Sequence, residues 1–98
     1  MGFFDYKGRF WDLWGQIQKT KIDKCIVINM NGLPVDCGFA SLALYFARKN
    51  VMIYLYNAGK CCKHVEEYVQ KANPNNLYIF EDKPDFLEEW LNGNTILD

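Results

Sequence analysis

Six residues are placed where they could do chemistry: Asn29, Asn31, Gly32, Asp36 and Gly38 follow one apolar run, and Asn57 follows the next. Carboxylate and amide side chains bond sugar hydroxyls or base edges. Glycine amides at a helix start can approach a phosphate. A set of this composition could hold a small polar ligand. Each residue also has a plainer role, Asp36 as a helix N-cap and Asn31-Gly32 as a turn. Their convergence on one rim strengthens the ligand reading beside those plainer ones.

The four cysteines offer less. Cys25 falls inside an apolar run, while Cys61 and Cys62 are adjacent at a helix start. That is poor geometry for a disulfide framework. The plainest expectation is small buried hydrophobes carrying reduced thiols. Cys61, Cys62 and His64 lack the paired spacing of zinc ligands, so no metal is expected. Cys61 near a helix N-terminus would be a reactive thiol if the helix lowers its pKa. His64, the single histidine, sits among helical surface residues. Glu81 and Asp82 are the acids that follow the last strand, and they would supply a carboxylate to the same rim if catalysis required one.

The elements that position these residues are legible from hydrophobic spacing. Cys25 to Met30 and Val51 to Tyr56 are nearly continuous apolar runs, as in strands covered on both faces. Between them Phe39, Leu42, Ala43 and Phe46 repeat at helical spacing, so a helix runs from Asp36 to about Lys49-Asn50, with basic residues in its last turn. This is a βαβ unit with a right-handed crossover. In such sheets ligands bind beyond the carboxyl ends of the strands. A later helix carries Val65, Tyr68, Val69 and Ala72 on its buried stripe and ends at Asn73-Pro74-Asn75-Asn76. Leu77 to Phe80 is a short strand, and a last helix opens at Pro84, docks through Phe86, Leu87, Trp90 and Leu91, and stops at Gly93. Ahead of the first strand, Phe10, Leu13, Trp14 and Ile17 mark a helix from Arg9. The order is helix, strand, helix, strand, helix, strand, helix. It predicts a small three-layer α/β/α sandwich with a mainly parallel sheet of about three strands. One domain over 1–98 is expected: an N-terminal aromatic segment and helix (1–22) and a βαβαβα core (24–98).

Composition narrows the function classes. Half of the 98 residues are apolar, net charge is −1, and the eleven Lys and Arg are scattered, so a nucleic-acid surface is not expected. No apolar run reaches the roughly 18 to 20 residues of a membrane span, and no signal peptide is read. A cytoplasmic protein without a cofactor is the expectation.

The segment from Ile22 to Tyr56 resembles the nucleoside 2-deoxyribosyltransferase family and its flavodoxin-like, Rossmann-like relatives. Asp36-Cys37-Gly38 matches the Asp-x-Gly part of an Asp-x-Gly-x-x-x-Glu pattern, with Ile26-Val27-Ile28 before it and Lys49 with Val51-Met52-Ile53 after it. The resemblance covers about a third of the chain. It implies a nucleoside-type ligand held by Asn29, Asn31, Gly32, Asp36, Gly38 and Asn57, and, in an active member, deoxyribosyl transfer or N-glycoside cleavage. The family's nucleophilic Glu falls at Leu42, and no acid lies between Asp36 and Lys49, so a catalytically degenerate member is expected. The helix is also about two residues short, and the family's first strand has no counterpart ahead of the N-terminal helix.

A second class of function rests on the aromatic residues Phe3, Phe4, Tyr6, Phe10, Trp11 and Trp14. Trp11 falls off the buried stripe. With Phe3 and Phe4 it suggests a protein contact, in a small interaction or inhibitor module that uses the fold as a scaffold. A narrow sheet needs its edges covered, which also suggests a homodimer through a sheet edge or the flanking helices.

Overall fold

Among the described residues four strands, not three, form the sheet: β1 (Gly2–Asp5), β2 (Cys25–Asn29), β3 (Met52–Tyr56) and β4 (Leu77–Ile79), all parallel and in the order β1-β2-β3-β4. The computed structural model describes residues 2–71 and 76–91. Among these residues four helices complete the α/β sandwich: α1 (Phe10–Lys19), α2 (Cys37–Ala47), α3 (Lys63–Lys71) and α4 (Asp85–Leu91).

The additional strand is β1, in the segment expected to be only aromatic cover. It has four residues, with glycine and aspartate at its ends, too short for apolar alternation to register. Phe4 pairs beside Ile28 and faces the helices, Phe3 pairs beside Val27 and faces the other way, and Tyr6 N–H extends the ladder to the Asn29 carbonyl at 2.9 Å. A strand therefore does precede the N-terminal helix.

Sequential parallel strands joined by right-handed crossovers place every crossover on one face of the sheet. That is what the packing shows. Ile26, Ile28, Ile53, Leu55 and Leu77 pack against Leu13 and Ile17 of α1, Phe39, Leu42 and Phe46 of α2, and Val65 of α3. The opposite face carries Cys25, Val27, Tyr54 and Tyr56, and α4 covers it through the fully buried Leu87. Tyr54 stacks on Tyr78 with ring centroids 5.0 Å apart. Burial on both faces explains why β2 and β3 read as continuous apolar runs.

Several boundaries move. α2 ends at Ala47, so Arg48 caps it and Lys49 lies beyond it. Asn50 then turns the chain with φ 58°. Of the expected α3 stripe Val65 is fully buried, Tyr68 half-buried and Val69 exposed. Phe86 is exposed at its rim but meets Tyr54 and Phe80 edge-on. Ala72, Asn73, Pro74, Asn75 and Gly93, and the side chains of Trp90 and Leu91, lie outside the described residues. Asn76 is more than a helix stop: it is buried, and its Nδ2 donates to the Ala43 carbonyl at 2.7 Å, fastening α2 to the start of β4. Among the described residues no helix is long and apolar enough to cross a membrane.

Candidate functional site

The structure brings the six rim residues together, and it spends them on one another. Asn29 Oδ1 accepts from the Asn31 N–H at 3.0 Å and from Asn57 Nδ2 at 3.2 Å. Asn31 Nδ2 donates to the Tyr6 carbonyl at 3.0 Å, and Gly32 N–H donates to the Asn57 carbonyl at 2.7 Å. Asn31 and Asn57 both have φ 53°, a left-handed conformation that asparagine tolerates better than most residues. The loops after β1, β2 and β3 are thus tied into one polar lattice.

Two further turns of the same loops are zipped together. Gly59 N–H donates to the Leu33 carbonyl at 2.9 Å, Val35 N–H to the Lys60 carbonyl at 3.0 Å, and Cys62 N–H to the Val35 carbonyl at 2.9 Å. The Val35 and Cys61 bridge continues the parallel pairing past the strand ends.

Asp36 is the N-cap of α2: its Oδ1 accepts from Gly38 N–H at 3.1 Å. Its Oδ2 is 3.5 Å from the Tyr6 hydroxyl, which donates to it in a long bond. Burial pushes the Tyr6 phenol pKa up, and the neighbouring Asp36 carboxylate pushes it the same way. Gly38 has a packing reason to be glycine, since a Cβ there would stand 3.1 Å from the Phe10 ring. The Asp-x-Gly pair therefore caps a helix and seats an aromatic ring.

The position of the expected nucleophile lies elsewhere. Leu42 is buried and faces α1, where it lines an apolar groove of about 240 Å³ with Phe10, Trp11, Trp14, Ser41 and Tyr45. A carboxylate at that position would point into the α1–α2 seam, away from the rim. Glu81 and Asp82 are exposed beyond β4, and Glu81 borders a separate groove with Lys60, Cys61 and Glu66.

Cys61 is not the low-pKa thiol that a helix start could make it. Half-burial raises its pKa, and Glu66, Cys62 and Glu81 raise it further. His64 is exposed, and no group of three or more His, Cys, Asp or Glu among the described residues is arranged to hold a metal ion.

Sequence reasoning missed Tyr6 as the hub of the rim because β1 itself was missed; the same-side spacing of Phe4 and Tyr6 was the available signal. The aromatic seam was anticipated in part. Trp11 is 78% exposed, Trp14 meets Tyr45 edge-on at 5.4 Å, and Lys49 Nζ sits 5.0 Å over the Tyr45 ring. Phe3 is exposed at the sheet edge, while Phe4 packs into the core. No protein-family model matches the chain, and no curated protein or solved structure matches it.

Proposed function

We propose that the chain is a protein-interaction module whose contact surface is the aromatic seam of α1 and α2, with the sheet as its scaffold. The observation that carries this reading is Trp11, an indole left 78% exposed beside a groove walled by Phe10, Trp14 and Tyr45. Large aromatic side chains supply much contact area and are enriched where proteins meet.

The rim supports a nucleoside or nucleotide-type ligand less well. Such a ligand would have to replace the bonds among Asn29, Asn31, Asn57 and Tyr6, and a phosphate at the start of α2 would meet the Asp36 carboxylate. The sheet also runs straight through from β1 to β4, without the reversal of strand order that opens a crevice in doubly wound folds. β1 supplies a strand ahead of α1, a place where the resemblance to nucleoside 2-deoxyribosyltransferases asks for one. Leu42 still stands where that family's carboxylate would be, so this reading assigns no catalysis. The free thiols of Cys25, Cys37, Cys61 and Cys62 fit a reducing compartment such as the cytoplasm.

The test is a photo-crosslinking amino acid at Ser41, an exposed residue lining the groove. Adducts of discrete mass that Trp11→Ala removes are expected. No adduct at Ser41, together with nucleosides that raise the melting temperature of the wild type but not of Asp36→Ala protein, would return the function to the rim.

A further inference from the structure

We infer that the partner at this seam is a second copy of the chain, docked as an antiparallel pair of α1 helices in which Trp11 of each protomer lies over Gly15 of the other. The inference rests on the interaction-module reading and names its partner.

Gly15 lies in the interior of α1, where glycine weakens a helix relative to alanine. Among the described residues nothing requires it: a Cβ built on Gly15 meets no heavy atom within 4 Å. Gly38 and Gly59 differ, because the Phe10 ring and the Gly32 and Leu33 carbonyls crowd the places their Cβ atoms would take. Gly15 therefore leaves a notch on the outside of α1 that intramolecular packing does not use.

Trp11 stands four residues earlier, on the same ridge and one turn away. It is the most exposed of the large apolar side chains described. A knob and a notch about 6 Å apart on one helix are self-complementary. A two-fold axis crossing the helix at the level of Leu13, midway between them, sets two α1 helices antiparallel and brings each Trp11 onto the other protomer's Gly15. Isologous interfaces have this reciprocity, residue i meeting j while j meets i. A different protein would not need the notch to match the position of the chain's own knob. Along this i, i+4 ridge Trp11 and Gly15 are followed by Lys19 in the last turn of α1, so the uncharged part that pairs with itself is Trp11 and Gly15.

The exposed area is of the right order. Trp11 and Tyr45, at 78% and 45% exposure, offer roughly 300 Å² of aromatic surface. A standard interface takes about 800 Å² from each partner. Leu44, exposed beside Ser41, and the half-buried Phe10 and Trp14 extend the patch, and the missing side chain at Gly15 allows the close helix approach that would complete it.

Sedimentation equilibrium of the purified full chain from about 1 µM to about 1 mM tests this. The wild type is expected to pass from monomer to dimer. Trp11→Ala is expected to weaken association about tenfold or more. Gly15→Leu, which fills the notch with a good helix former, is expected to weaken it to a similar degree while raising the melting temperature of the dilute monomer. That opposite pair of effects separates a blocked interface from a misfolded chain. A dimer that both variants leave as tight as the wild type overturns the inference and points to a sheet-edge contact. A wild type monomeric at the highest concentration also overturns it: if the Ser41 probe still captures another chain, the interaction module survives with a different partner, and if the probe captures nothing, both fail.

Discussion

The absent Cβ of Gly59 would stand 2.5 Å from the carbonyl oxygen of Gly32, closer than such atoms approach in real proteins. The loops after β2 and β3 therefore touch backbone to backbone, held by Gly59 N–H to Leu33 and Gly32 N–H to Asn57. Because the obstructing atoms are main chain, no rotamer change relieves them. Gly59→Ala is expected to destabilise the fold by about 2 to 4 kcal/mol, as overpacking with lost hydrogen bonds does. Urea denaturation measures it, and a loss below about 0.5 kcal/mol, the scale of an ordinary surface substitution, would show that the loops part easily.

Asp36 is expected to behave as a cap. Asp36→Ala should cost about 1 kcal/mol, since the Gly38 N–H loses its acceptor and the Tyr6 hydroxyl loses its partner. Asp36→Asn or Asp36→Ser should recover most of the loss, because both cap well. A variant series in which only the carboxylate restores stability would instead mark the charge itself as important at this rim.

Asn76 closes the α2 to β4 junction. Asn76→Ala removes the donor from the Ala43 carbonyl and should cost about 1 to 3 kcal/mol. Asn76→Asp should cost more, since its carboxylate would lie buried against the Ala43 and Val51 carbonyl oxygens that Nδ2 now faces. Chemical denaturation of the two variants in parallel orders them, and an aspartate no worse than alanine would mean that water reaches this position.

How much of this is written in the sequence differs by element. β2, α2 and β3 are legible because a strand buried on both faces must be apolar throughout, and a crossover helix must repeat Phe39, Leu42, Ala43 and Phe46 toward it. β1 is not legible, because four residues bounded by Gly2 and Asp5 carry too little alternation. Its register comes from pairing with β2, which only the tertiary structure supplies. At the rim the residue types were readable but their allegiance was not. An Asn-Gly turn looks the same whether Asn31 points to a ligand or, as here, to the Tyr6 carbonyl. Trp11 was visible as a residue off the stripe. Gly15 passes unnoticed inside an amphipathic helix, and its meaning emerges only when the space around it is known to be open.

The cysteines should react in the order of their exposure. Cys37, in the first turn of α2, is exposed. Cys61 and Cys62 are half-buried, and Cys25 is buried under the second face of the sheet. Thiol titration of the folded chain should show one fast phase that Cys37→Ser removes, a slower phase from the adjacent pair, and Cys25 released only with unfolding. A fast Cys61 would mean that the start of α3 outweighs the burial and the acids around that thiol.

Alkaline pH should unfold the chain from the same groups that burial keeps neutral. Cys25 is pushed up from its ordinary 9.0 to about 11 by burial under the second face of the sheet. Burial raises the phenols of Tyr6, Tyr54, Tyr56 and Tyr68 as well. Each of these groups ionises more readily in the unfolded chain than in the folded one. The folded state therefore holds more protons above about pH 9, and stability falls as pH rises. The contribution of Cys25 is whole below pH 9 and is lost through about pH 11, up to about 2 to 3 kcal/mol from that thiol. Denaturation midpoints followed from pH 7 to pH 11 should be flat at first and then decline, and Cys25→Ala should make the decline shallower while lowering stability at neutral pH. A stability that stays level to pH 11 in the wild type would show that the thiol and the tyrosines ionise without leaving the core.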